Sequence, residues 1–181
     1  MVKHRDTVEA SAQYTGYLTC LELPIAPGSL LGFLFIVNQV DEPVEFTYAM
    51  AEAPTSASFW SADSVYRHAV RKMSALLLEK AVLTPGLILT IDVSHSESGG
   101  RSGIPSGIFG KEIEIEVPVV RLVPGVTAGE IDQAVDVPLN DQATKILSDR
   151  MERGRILDPF QTGKRGISEI FERAQKDPAG K

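Results

Sequence analysis

Every position from Leu30 to Val37 is apolar except Gly32. A strand with one face in water would alternate. This run does not, so it predicts a strand covered on both faces. The turn cluster Asp41-Glu42-Pro43 follows, and then a second β-rich run from Val44 to Tyr48. Together they predict a hairpin from the middle of a sheet. Upstream, Tyr14 to Leu23 is rich in Tyr, Thr and Leu and stops at Pro24, which predicts a first strand. Ile25-Ala26-Pro27-Gly28 has the composition of a turn.

The period changes after Ser61. Val65, Ala69, Val70, Met73, Leu76, Leu77 and Ala81 form one apolar stripe with a spacing near that of a helix, ended by Thr84-Pro85-Gly86. Ser61 suits an N-cap, and Asp63 stands in the first turn, where the helix dipole favours an acid. Leu87 to Val93 predicts a fourth strand. Ser94 to Gly110 holds five glycines among serines and predicts a mobile loop. From Lys111 to Val123 the isoleucines and valines at 113, 115 and 117 alternate with Glu112, Glu114 and Glu116, which predicts a fifth strand with one face in water. Pro118 removes a donor and marks an edge or a bulge.

Residues 124–138 read as irregular and acidic. Asp141 to Arg153 carries Ala143, Ile146, Leu147 and Met151 on one helical face, with Gly154 beyond it. Ile167 to Gln175 carries Ile167, Ile170, Phe171 and Ala174 on another. The order β-β-β-α-β-β-α-α predicts an α+β domain: a mostly antiparallel five-stranded sheet with helices packed on one face. The expected organisation is a flexible arm over residues 1–13, a single domain over 14–154, and a linker with a C-terminal amphipathic helix over 155–181.

Composition narrows the class. The 181 residues are 43% hydrophobic and 23% charged, with a net charge of −6, ordinary for a globular domain. The longest apolar run is eight residues, against about 20 for a membrane span. Met1 to Gln13 is polar, and no signal peptide is expected. Cys20 is the single cysteine, which rules out an internal disulfide and fits a cytoplasmic setting. The charge is uneven. Residues 1–144 hold 9 Lys and Arg against 18 Asp and Glu, and residues 145–181 hold 9 against 6. The acidic body should repel a phosphate backbone, so nucleic acid is not the expected partner.

Catalytic constellations are scarce. The histidines His4, His68 and His95 lack metal-ligand spacing. No nucleophile elbow surrounds a serine. The glycines of Gly99-Gly100-Arg101-Ser102-Gly103 open no helix, which excludes a phosphate-binding P-loop and a dinucleotide fingerprint. No metal and no cofactor are expected. The carboxylate that stands out is Asp92, at the end of the fourth strand. Three strands, a helix and a strand ending in Asp is an order similar to the first half of the ribonuclease H fold. That likeness covers roughly residues 14–93 and lies in element order. It implies two-metal phosphodiester cleavage with acids on the first strand, the first helix and the fourth strand. Glu22, Glu79 and Asp92 would take those places.

Two expectations follow. The first is a non-catalytic protein-interaction or assembly subunit. Its partner, or a second copy, would meet Leu157, Phe160, Ile167, Ile170 and Phe171 in the basic C-terminal segment, since an amphipathic helix can lie in a partner's groove; the same helix can equally fold back on its own sheet. The alternative is a metal-dependent phosphodiesterase or nuclease with a ribonuclease H-like core, built on Asp92 with Glu22 or Glu79.

Overall fold

The computed structural model of the protein describes residues 13–23, 29–52, 59–95, 100–125, 127 and 129–176. Of the arm expected over residues 1–13, all but Gln13 lies outside the described residues. The first three strands are β1 (Thr15–Glu22), β2 (Leu30–Val37) and β3 (Pro43–Ala51), an antiparallel meander. Helix α1 (Ala62–Lys80) then returns the chain to the sheet. A helical return brings the next strand in parallel. Accordingly β4 (Leu87–Ile91) pairs with β1 in parallel, and β7 (Val119–Pro124) pairs with β4 in parallel. Strand β8 (Ile131–Val137) closes the far edge antiparallel to β7. A small hairpin, β5 (Ser94–His95) with β6 (Arg101–Ser102), hangs on the end of β1. The chain ends in α2 (Asp141–Glu152) and α3 (Asp158–Lys176).

The class is α+β, but the sheet is mixed and eight-stranded: six strands run in the order β3-β2-β1-β4-β7-β8, and β5 and β6 lie off this path. It is not the mostly antiparallel five-stranded sheet expected, and its helices cover both faces. The apolar run in β2 is the physical reason. Leu30, Leu34 and Ile36 meet α1 on the first face. Leu31, Phe33, Phe35 and Val37 meet the layer of α2 and α3 on the second. A strand with no polar face needs a cover on each side.

The α1 stripe behaves as its periodicity predicts. The Ser61 hydroxyl accepts the Ser64 N–H at 3.2 Å as N-cap. Val65, Tyr66, Ala69, Val70, Met73 and Leu77 are buried against the sheet. Gly32 lets α1 come close: a Cβ there would stand 2.9 Å from the Met73 sulfur.

Two strands differ from expectation. Only Val119–Pro124 of the expected fifth strand joins the ladder. Ile113, Ile115 and Val117 alternate in burial as expected, but they pack on the first face with Ile104, Ile108 and Phe109. To run parallel beside β4, the chain must first cross back over that face, and these residues are the crossover. Strand β8 lies in the segment read as irregular. Its sequence, IDQAVDV, carries two acids on an edge, so it lacks the signal of a buried strand.

Helix α2 clamps the β2–β3 turn. Asn140 caps its start by accepting the Ala143 N–H at 2.8 Å. Arg150 pairs with Asp41 and donates to the Asn38 carbonyl at 2.6 Å. Arg153 reaches Asp41 at 2.9 Å. Asp41 has φ +65°, a backbone state that a short polar side chain tolerates. Helix α3 begins at Asp158, well before the expected Ile167, and takes in Gly163 and Gly166 of the expected linker. No described helix is long and apolar enough to cross a membrane.

Candidate functional site

Parallel pairing of β1 with β4 sends Glu22 and Asp92 to the same sheet edge, the one where both strands end. Neither carboxylate stands free there. Asp92 accepts Arg121 Nη1 at 2.7 Å, and Arg121 Nε reaches Asp136 at 3.3 Å. The side chains of Arg121 and Asp136 are 11% and 8% exposed and that of Asp92 34%, so a largely buried pair joins β7 and β8 and reaches a more exposed acid just past β4. Glu22 accepts the Arg101 N–H at 3.2 Å. Glu79 is exposed in the last turn of α1. That turn delivers the chain to the start of β4, the opposite edge from Asp92. The structure therefore brings two of the three candidate acids to one edge and leaves the third at the other. Among the described residues no group of three or more His, Cys, Asp or Glu could hold a metal ion. Among the described residues, Glu22 and Asp92 alone do not complete a two-metal donor set.

The glycine segment, expected to be mobile, is docked where it is described; residues 96–99 lie outside the described part. Arg101 pairs with Asp63 at 2.8 Å and lies 5.5 Å from the Tyr66 ring centre. The Tyr66 hydroxyl donates to the Gly103 carbonyl at 2.8 Å, and burial raises its pKa. Gly103 has φ +114°, and a Cβ there would run into the Asp92 backbone. Lys164 donates to the Ser102 hydroxyl at 3.2 Å, and burial lowers its pKa. Cys20 is fully buried, which pushes its thiol up and away from reactivity. Trp60 meets His68 edge-on, with ring centres 5.0 Å apart. His95 is exposed on β5.

The C-terminal stripe folds back on its own sheet. Phe160 and Ile167 are buried in the second-face core, and Phe160 meets Tyr17 edge-on at 5.2 Å. Leu157 and Phe171 pack at the margin of that core, and Ile170 is partly exposed. Phe160 and Ile167 are therefore spent inside the protein. Of the other three, Ile170 borders a surface that the sequence pattern did not single out.

That surface is the open edge of the sheet. Strand β3 pairs with β2 on one side and with no described strand on the other. Val44, Tyr48 and Met50 are 43%, 46% and 54% exposed. Phe46 lies beneath them, 5.7 Å from Phe33, 5.8 Å from Phe35 and 6.0 Å from Tyr48, centre to centre. A groove of about 320 Å³ runs between Phe35 and Phe46 on the sheet and Gly166 and Ile170 on α3. The opposite edge, β8, exposes Asp132, the kind of charge that discourages strand pairing. Alternation of Phe46, Tyr48 and Met50 was legible in the sequence. Their exposure was not, because alternation reports which residues share a face and not whether anything covers it.

No protein-family model matches the chain, and no curated protein does. Among solved structures it is similar to Endonuclease V of Ciona intestinalis, crystallised with a 24mer DNA containing an inosine followed by a ribo-adenosine. The TM-score is 0.40 and the identity 11%, over 78% of this chain. The chain spans 56% of the length of that protein.

Proposed function

We propose that this chain is a non-catalytic assembly subunit that holds a protein partner along β3 and the aromatic face beside α3. The observation that carries this reading is the open apolar edge. Native sheets protect their edges with charge, proline or a covering element. In β3 the one proline, Pro43, stands at its first residue, outside the regular ladder, and the single charged residue is Glu45, whose carboxylate is turned to the N–H groups of Val82 and Leu83 at 2.9 and 2.8 Å. Aromatic and methionine side chains on an uncovered surface are the residue types that interfaces favour. An extended segment added to such an edge gains main-chain hydrogen bonds, and pockets for its side chains select it. No cofactor enters this reading, and the lone buried Cys20 fits a reducing, cytoplasmic setting.

Affinity isolation from native extract, with wild type beside Tyr48→Lys, tests it. A protein retained by the wild type and lost from the variant is the expected result. Equal recovery by both, or nothing retained by either, a second copy of the chain included, overturns the reading.

The second reading is a metal-dependent phosphodiesterase on the ribonuclease H-like element order. Its supporting observation is the shared edge of Glu22 and Asp92. Cleavage of DNA or RNA that requires Mg²⁺ or Mn²⁺ and disappears in Asp92→Asn would establish it. No cleavage under any of these conditions ends it.

A further inference from the structure

We infer that β3 pairs antiparallel with β3 of a second copy, about a two-fold axis at Tyr48, so that two sheets run on as one. The inference rests on the assembly reading above and names the partner.

Symmetry limits where the axis can lie. In an antiparallel pair, a two-fold must pass between a residue and its own counterpart. The ladder between β2 and β3 is regular from Glu45 to Ala51 and shifts at Val44, where Ile36 faces Glu45 but Val37 faces Pro43. The regular stretch is seven residues centred on Tyr48. An axis at Tyr48 uses all of it, and Val44 falls outside.

That register is also compatible in its side chains. Tyr48 would face Tyr48, and Phe46 would face Met50 on both sides of the axis. Aromatic and large apolar cross-strand pairs of this kind stabilise a sheet. On the other face Thr47 would meet Ala49, and Glu45 would meet Ala51. No acid stands opposite an acid within the paired stretch, although the chain carries a net charge of −6. An axis at Thr47 would set Glu42 against Glu52, two like charges at each end. The two α3 helices would lie on one side of the joined sheet and flank the enclosed Tyr48 and Met50.

The far edge explains why the assembly closes. A chain of copies would need β3 to pair with β8, which exposes Asp132. Pairing like with like consumes both apolar edges and leaves only the two β8 edges, each with its exposed acid.

Sedimentation velocity and light scattering on the full chain, over a wide concentration range, read the result directly. The expected particle has twice the 19.6 kDa mass of one chain. Tyr48→Lys and Tyr48→Glu should each be monomeric with unchanged circular dichroism, because each sets like charges against each other at the axis. An equal mixture of the two should recover the dimer. Wild type that stays at 19.6 kDa throughout, or a Lys variant that still dimerises, overturns the inference. In the first case the extract experiment separates the two proposals. A monomer that still loses a different protein on Tyr48→Lys keeps the assembly reading and ends self-pairing. A monomer with no partner ends both.

Discussion

Gly163 of α3 rests directly on the ring of Phe33 in β2, so close that a Cβ at Gly163 would overlap the ring. Phe33 is fully buried and cannot yield. A glycine inside a helix costs roughly 1 kcal/mol against alanine, and the contact is what it makes possible. Gly163→Ala should therefore lose about 1–3 kcal/mol despite its better helix propensity. Gly166, whose Cβ would sit 3.8 Å from Phe46, has room. Gly166→Ala should be neutral or stabilising by up to about 1 kcal/mol. Opposite shifts in urea denaturation are the expected result. Stabilisation by both would mean that α3 does not seat on β2.

The α1 core distinguishes two neighbouring leucines. Leu77 is fully buried, whereas Leu76 is partly exposed at the margin. Leu77→Ala should cost about 2–5 kcal/mol, and Leu76→Ala clearly less. Equal losses would place the helix in a different rotation.

Arg121 neutralises Asp136 in a largely dry site and reaches the more exposed Asp92. Arg121→Met would leave Asp136 buried without its cation, at a cost of about 3–5 kcal/mol. Adding Asp136→Asn should recover part of that loss, because the stranded charge is gone. A double-mutant cycle with no coupling would show that the pair contributes nothing.

Glu45 predicts an acid sensitivity. Burial acts to raise its pKa, but the N–H groups of Val82 and Leu83 and the Thr47 hydroxyl outweigh burial and hold it below the ordinary glutamate value. The unfolded chain therefore binds the proton more readily. The stabilisation is whole above the ordinary pKa, about 4.3, and is lost as pH falls through the lower folded value. Glu45→Gln should lower stability at neutral pH and flatten the loss of stability below about pH 5. An unchanged acid limb would mean that Glu45 does not hold the β3 end to the loop after α1.

The docking of Arg101 predicts its protease resistance. Trypsin should cut at Arg155, exposed between α2 and α3, before Arg101, which is held by Asp63 and Tyr66. Early cleavage at Arg101 would mean that the segment opens readily.

What the sequence determined by itself was local. The eight-residue apolar run required a strand with two covers. The stripe from Val65 to Leu77 and the Ser61 cap set α1 within a residue or two. The element order carried the α+β class. What only the tertiary structure decided was which elements meet. The alternation at Ile113, Ile115 and Val117 is a true burial pattern, but a ladder needs a neighbour, and the crossover has none. Gly163 and Gly166 resemble a linker until Phe33 is seen beneath the helix, because glycine marks close approach as well as flexibility. Asp92 has a catalytic setting in the chain order and an arginine partner in space, since Arg121 arrives from a strand 29 residues later. The open edge of β3 is decided by the lack of any described strand beside it. Local pattern sets which side chains share a face, and only the packing of the remaining chain decides whether that face is filled.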